Sequence, residues 1–147
     1  MSRFETFVGR SSKPVRNEVE KGAIRKFAQA IGDLNPLYLD EGFAQKHHYR
    51  SILAPPTFSR TFDYGAIEGL HLPHDGLIHG EQQFEYARRI VAGDILYCST
   101  KLLDVRERQG KLGHMTFLTF EHLAVDEVNQ WVVKETSSII YRGGESY

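Results

Sequence analysis

The sequence has little of several features that mark common classes of protein. It contains a single cysteine, Cys98, among 147 residues, so no disulfide can form within the chain and a reducing compartment is expected. Lys and Arg number 18 against 19 for Asp and Glu, which leaves no charge excess to attract nucleic acid or an anionic membrane. No apolar run approaches the length of a membrane span, and the first residues lack a signal-peptide layout. Together these absences predict a cytoplasmic protein with no membrane or nucleic-acid partner.

The remaining composition is that of an ordinary folded domain. Apolar residues make up 41% of the chain and charged residues 25%, and this length is sufficient to enclose a core. No repeat, low-complexity stretch or long linker divides the sequence. We therefore expect residues 1–147 to form one domain.

The first half of the chain is predicted to be mainly helical, after a short strand at 14–19. Apolar residues recur at helical spacing from about Glu18 to Ile31. Gly32 is suited to the position just after a helix, because glycine adopts the left-handed conformation at no steric cost. The pattern indicates one amphipathic helix that ends at Gly32.

Two further helices are predicted before the midpoint. Asp40 is placed to cap a short helix that ends near His47. A longer helix is expected to begin near Pro56, since proline is favoured in the first helical turn, and to run to Gly69. Its aromatic and small residues predict that it is buried against a sheet.

The second half alternates apolar and polar residues in a way that predicts strands. Four strands are expected, over 77–90, 95–106, 115–125 and 131–141. We expect them to follow one another as an antiparallel meander, with Ala92-Gly93-Asp94 as its first turn. With the strand at 14–19, this gives an α+β hot-dog fold, a curved antiparallel sheet of about five strands around a central helix. Such folds place sites between subunits, so a dimer is expected by analogy.

One segment, Gly32-Asp33-Leu34-Asn35-Pro36-Leu37-Tyr38, resembles the G-D-x-N-P-[LIV]-H signature of the MaoC-like (R)-specific hydratases and dehydratases. The resemblance covers nearly the whole chain through further segments at 54–58 (Ala-Pro-Pro-Thr-Phe), 79–86 (His-Gly-Glu-Gln-Gln-Phe-Glu-Tyr) and 91–98. These look most like the N-terminal MaoC-type dehydratase domain. That branch includes the substrate-binding subunits of heterodimeric mycobacterial (R)-3-hydroxyacyl-carrier-protein dehydratases.

The resemblance implies a definite chemistry. Removal of water from a 3-hydroxyacyl thioester needs a positioned acid/base pair and a group that stabilises enolate-like charge on the thioester oxygen. In the family an Asp and a His share the proton transfers. Asp33 matches the catalytic aspartate and Asn35 the residue that orients the site. Each also has a purely local interpretation, Asp33 as a turn residue that caps nearby amides and Asn35 as the opening of an Asn-Pro turn.

Tyr38 stands where the family carries its catalytic histidine. A phenol with a reference pKa near ~10 can donate a hydrogen bond but is a poor base at neutral pH, whereas a histidine near ~6.5 works in both directions. Tyr38 therefore either contacts the substrate or packs as a buried aromatic. His79 is the candidate replacement, because His-Gly recurs there in the family, although a lone histidine at a strand start is more often structural.

The other candidate substrate contacts are Pro56, Thr57 and Phe58. Prolines lack an N–H group, so Thr57 and Phe58 would offer the first free amide donors of a helix. The alternative is a buried helix that begins at proline and binds nothing. We predict no metal site, because the proline between His71 and His74 breaks helical ligand geometry, and no cofactor.

Three functions remain open at this point. The first is a substrate-binding subunit of an (R)-3-hydroxyacyl thioester dehydratase or hydratase in fatty-acyl metabolism, beside a second MaoC-like chain with an intact Asp/His pair. The second is a self-sufficient homodimeric (R)-specific enoyl-CoA hydratase, with Asp33 as base and Tyr38 or His79 as donor. The third is a non-catalytic acyl-thioester binding domain, with a thioesterase as a neighbouring enzyme. The expected ligand is an acyl-CoA or acyl-carrier-protein thioester, and the expected state is a homodimer or a heterodimer.

Overall fold

The fold consists of five antiparallel strands and three short helices within the residues that the computed structural model describes, 3–111 and 113–142. In chain order the elements are β1 (Val15–Glu18), α1 (Lys21–Ala30), α2 (Pro36–Leu39), α3 (Glu41–Lys46), β2 (Leu77–Tyr86), β3 (Ile95–Gly110), β4 (Gly113–Val125) and β5 (Trp131–Tyr141). Two 3-10 turns, Glu5–Phe7 and Pro56–Thr61, lie outside these elements.

The strands form one sheet in the order β1-β3-β4-β5-β2. Strands β3, β4 and β5 are a meander, as predicted, but β2 is not part of it. It lies at the far edge beside β5, with Leu77 opposite Tyr141 and Tyr86 opposite Val133. The expectation that Ala92-Gly93-Asp94 joins neighbouring strands is therefore wrong. Alternation along a strand defines its two faces, but not which strand lies next to it.

The segment from 87 to 94 instead carries the chain from one edge of the sheet back toward the other. It first follows β5, where the Ala87 amide donates to the Val132 carbonyl at 2.8 Å. It then runs beside 52–54, with hydrogen bonds of 2.9 Å from Ala54 to Ile90 and from Ala92 to Ile52. Gly93, at a φ of +93°, turns the chain into β3.

Helix α1 covers the inner face of the sheet, as its apolar stripe predicts. Ile24 and Ala28 are fully buried, and they belong to the same core as Leu96 and Cys98 of β3. The helix ends where expected, because Gly32 has a φ of +74°. Asp40 caps α3 by accepting a hydrogen bond from the Phe43 amide at 3.1 Å, which confirms the predicted cap.

The predicted helix from Pro56 to Gly69 is wrong. Only the 3-10 turn Pro56–Thr61 forms, and the chain then becomes extended at Phe62. Gly65 and Gly69 have φ values of +75° and +82°, which an α-helix does not contain. The segment is nevertheless buried against the sheet through Phe58, Tyr64 and Ile67.

One antiparallel sheet with a helix on its inner face is the arrangement of an α+β hot-dog fold, which confirms the predicted fold class. A second apolar cluster, around Leu102, Leu118 and Phe120, closes the far end of the inner face. Across 3–111 and 113–142, no helix has both the length and the apolar character required to cross a membrane.

Candidate functional site

The signature segment forms the connection between α1 and α2. Asp33 and Asn35 are brought together there, since Asp33 Oδ1 accepts a hydrogen bond from the Asn35 amide at 3.2 Å. Asn35 in turn caps α2 by accepting from the Leu37 amide at 3.0 Å. Asp33 is exposed to solvent. The apolar residues Ile31 and Leu34, on either side of it, are also exposed, Leu34 at 62%.

Tyr38 takes a different position from the exposed aspartate. It lies on α2 and is only 6% exposed, packed in the main core. No hydrogen bond or ion pair joins Asp33 to a histidine anywhere in 3–111 or 113–142. The described residues of one chain therefore do not assemble an Asp/His pair at this signature.

His79 lies on the edge strand β2, opposite Ile139 and next to a β-bulge at Gly80. Its side chain is exposed, and Nε2 lies 3.1 Å from the Glu81 carbonyl oxygen. No hydrogen bond connects it to Asp33, Asn35 or Tyr38 in the part of the chain described. Asp33 and Asn35 therefore lie together in the connection between α1 and α2, whereas His79 lies on a separate strand, β2.

The predicted substrate contacts have three different environments. Pro56 lines a cavity of about 170 Å³ together with Ala54, Tyr86 and Ile90, and its carbonyl oxygen accepts a hydrogen bond from the Tyr86 hydroxyl. Thr57 is exposed. Phe58 is buried, with ring centroids 5.5 Å from Phe27 and 5.7 Å from Phe62.

The expectation of a free amide at Phe58 is wrong. Its N–H donates to the Pro55 carbonyl at 2.9 Å, because the tighter 3-10 turn closes hydrogen bonds earlier than an α-helix. Of the two amides proposed from the sequence, Phe58 is therefore committed to its own turn.

Two arginines border the cavity at Pro56. Arg88 is fixed by two carboxylates, with Nη1 2.9 Å from Asp94 Oδ2 and Nη2 3.8 Å from Asp126 Oδ2. Arg89 is exposed and makes no ion pair within the described residues. One guanidinium at the cavity mouth is thus held in place while the other remains available to an anion.

A second cavity of about 220 Å³ lies between the inner face of the sheet and the loop at 65–72. Its walls are mainly apolar, formed by Ile67, Leu70 and Leu72 of the loop and by Phe120 and Ile139 of the sheet. A fold with an apolar cavity of this size can admit a hydrocarbon group, since an engineered cavity of roughly 150 Å³ binds benzene.

A buried carboxylate next to this region is absent from the sequence-based prediction. Glu135 of β5 is fully buried, and it accepts hydrogen bonds from the Tyr64 hydroxyl and from Gln82 Nε2, both at 2.9 Å. Arg60 lies 3.6 Å away, with its side chain half exposed. The sequence does contain a clue to it. Glu135 shares every second position of the strand with Val133 and Ser137, so it faces the same side of the sheet as they do.

This carboxylate influences the ionisable groups around it. Burial, and then the charge of Glu135, raise the pKa of the Tyr64 phenol far above its usual value. Burial lowers the pKa of His122, the neighbour of Glu135 on β4, so its imidazole is neutral at pH 7. Burial and the same carboxylate raise the pKa of the Cys98 thiol to about 12, which keeps it protonated as the small apolar core residue predicted from the sequence.

Two comparisons with sequences relate this geometry to known proteins. A family model described as the FAS1-like dehydratase domain region matches residues 6–135. The UPF0336 protein of Thermobifida fusca is 33% identical over 144 residues, which cover 93% of this chain and 92% of that protein.

Solved structures give the same fold at lower identity. The C-terminally truncated HadBC complex, a (3R)-hydroxyacyl-ACP dehydratase from Mycobacterium tuberculosis, matches with a TM-score of 0.73 at 20% identity, over 91% of this chain and 96% of that one. The R-hydratase PhaJ1 from Pseudomonas aeruginosa matches with a TM-score of 0.71 at 21% identity, over 91% and 81%. The solved structures show that the chain shares the fold of these dehydratases and hydratases, and the family match across residues 6–135 identifies it as a member of the FAS1-like dehydratase domain family.

Proposed function

We propose that this protein is the substrate-binding subunit of an (R)-3-hydroxyacyl thioester dehydratase or hydratase. In this function it holds an acyl-CoA or acyl-carrier-protein thioester, while a second MaoC-like chain supplies the Asp/His pair. The proposal depends on one observation above all, the burial of Tyr38 at the position of the family's histidine. A side chain packed in the core cannot exchange protons freely with a substrate that reaches the exposed Asp33.

Two cavities support the binding role. They lie at opposite ends of the segment from Pro56 to Leu72, one lined by Pro56 and the arginines and the other by apolar side chains under the loop. An acyl thioester has the same division, an anionic carrier at one end and a hydrocarbon chain at the other. Arg89 would meet phosphate of the carrier, and Leu70 and Ile139 would contact the chain.

The edge strand β2 offers a surface through which a second subunit could associate. It is ten residues long. One side pairs with β5, and no strand among the described residues pairs with the other side. Leu77, Ile78 and Tyr86 are large apolar residues that it leaves exposed. Exposed backbone donors and acceptors on such an edge pair readily with another strand, such as one from a neighbouring MaoC-like chain.

The enzymatic part of the proposal is tested with crotonyl-CoA. We expect the purified protein alone to leave the enoyl absorbance unchanged, within the limit set by an Asp33→Asn control, and to bind decanoyl-CoA by calorimetry. We expect hydration to begin when a MaoC-like chain that retains both Asp and His is added, because the proton transfers then have their acid and base.

Each other outcome favours a different function. Turnover by the protein alone that is lost in Asp33→Asn would establish the homodimeric hydratase, with Tyr38 and His79 as the next positions to vary. Release of free thiol would indicate a thioesterase. Binding that never leads to turnover, even beside partner chains, would support the non-catalytic domain, and a failure to bind decanoyl-CoA would refute the substrate-binding role.

The proposed interface predicts the oligomeric state. We expect the chain alone to be a homodimer through β2, and Ile78→Glu to raise the dimer dissociation constant at least about tenfold, because a charge would be buried at the contact. Val128→Glu is the matched control, since Val128 is more exposed but lies in the turn between β4 and β5. Sedimentation velocity measures both; a monomeric wild type, or equal effects of the two substitutions, would contradict the interface.

A further inference from the structure

Polar side chains cross the inner face of the sheet in a single row. Thr100 of β3 lies opposite His122 of β4, which lies opposite Glu135 of β5. Residues directly opposite in antiparallel strands share a face and bring their side chains together. The row is flanked by apolar rows that contain Leu102 and Phe120 on one side and Cys98 on the other.

The residues of this row differ in whether their polar atoms have hydrogen-bond partners. Glu135 uses its oxygens on Tyr64 and Gln82. By contrast, Thr100 Oγ1 and His122 Nδ1 are buried and have no hydrogen-bond partner within 3–111 and 113–142. Thr100 is only 7% exposed. Buried polar atoms are nearly always paired in folded proteins, so two neighbouring exceptions require an explanation.

Both atoms belong to residues that line the apolar cavity under the 65–72 loop. Every other lining residue is apolar or glycine, from Ile67 and Leu70 on the loop to Ile139 on the sheet. The cavity therefore combines hydrocarbon walls with one polar position, which is the composition of a site that recognises a particular oxygen or nitrogen on an otherwise apolar ligand.

We propose that this cavity binds an acyl chain that carries a neutral oxygen, a hydroxyl or a keto group, and that Thr100 and His122, whose unpartnered atoms are buried behind the cavity wall, rotate to hydrogen-bond to that oxygen. The inference rests on the proposed function, in which the ligand is an acyl thioester, and it specifies the class of acyl chain. The oxygen would lie within the chain, away from the thioester group, because the arginines that would meet the carrier line the other cavity, at Pro56.

The chemistry of the row favours a neutral group over a charged one. A hydroxyl and a neutral imidazole can each donate or accept a hydrogen bond, so they suit an alcohol or a ketone equally. A carboxylate would be repelled by Glu135, the next residue in the row, which carries its charge close behind His122. An ammonium group would find no free carboxylate oxygen, because Glu135 is occupied by Tyr64, Gln82 and Arg60.

The test compares ligands and variants by calorimetry on the full chain. The ligands are decanoyl-CoA and derivatives with a hydroxyl or keto oxygen at mid-chain or a hydroxyl at the far end. We expect at least one oxygenated derivative to bind about fivefold to tenfold more tightly than decanoyl-CoA, the value of one or two added hydrogen bonds. Thr100→Val and His122→Phe should each abolish this preference, measured as the ratio of the two dissociation constants for the same variant.

Thr119→Val is the matched control, because Thr119 is on β4 but points to the opposite face of the sheet from His122. It should keep the preference for the oxygenated ligand. Thr100→Val should fold with an unchanged or higher unfolding midpoint, since the hydroxyl it removes has no partner. Decanoyl-CoA binding without any preference in the wild type would overturn the inference alone, whereas the absence of decanoyl-CoA binding would overturn the proposed function with it.

Discussion

Replacement of Glu135 by leucine is expected to destabilise the protein by about 2–4 kcal/mol, because it leaves buried hydrogen-bond donors without an acceptor. Gln82 Nε2 loses its partner, and the Tyr64 hydroxyl retains only the Ser59 carbonyl at 2.8 Å. Arg60 contributes little to this loss, since its half-exposed side chain can turn to water. Urea unfolding, followed by fluorescence, measures the change in free energy.

Glu135→Gln is the informative comparison for this substitution. It keeps the shape and one acceptor oxygen, so we expect it to cost about 1–2 kcal/mol. It also removes the charge that adds to burial in raising the pKa of Tyr64. If Leu and Gln were equally well tolerated, the buried hydrogen bonds would not be important for stability.

Replacement of Asp94 by alanine is expected to cost about 2–3 kcal/mol. Its carboxylate is 5% exposed and accepts hydrogen bonds from the Val91 amide and Arg88 Nη1, both at 2.9 Å, beside an ion pair with Arg50. Its backbone oxygen accepts from Val19 at 2.9 Å. Asp94 thus joins the end of the crossing segment to the start of β3 and to the end of β1. Alanine keeps the backbone bond to Val19, so its cost comes from the lost side-chain bonds to Val91, Arg88 and Arg50.

Asp104→Ala is the matched control for Asp94→Ala. Asp104 also pairs with an arginine, Arg106, at 3.0 Å, but both side chains are at least half exposed. Exposed ion pairs contribute little, so we expect a loss below about 0.5 kcal/mol. Both free energies come from urea unfolding under the same conditions, and equal losses at Asp94 and Asp104 would refute the role given to burial.

Much of the fold could be predicted because its signals are local. The apolar spacing of α1, the glycine after it and the Asp40 cap depend on a few neighbouring residues, and the structure contains all three. The position of β2 could not be read in the same way. Its partner β5 lies far along the chain, and the pattern of a strand contains no information about which strand it will join.

Only the part of the candidate site that lies within one short sequence motif could be predicted. Asp33 and Asn35 share a short loop and therefore meet by local geometry. The cavity under the 65–72 loop is different, because Thr100, His122 and Ile139 come from three strands. Glu135 was missed because a glutamate is normally read as a surface residue, and only the phase of β5, set by Val133 and Ile139, places it inside.

Because residues 87–94 cross the sheet, we expect its strands to pair in a definite order during folding. Strands β3, β4 and β5 are joined by short turns, so their pairing closes only small loops and can form early. Strands β1 and β2 lie one at each edge and pair with distant partners, so we expect them to join the sheet last. Destabilising substitutions in β2 should therefore act mainly by accelerating unfolding, while those in the β3–β5 meander should slow folding itself.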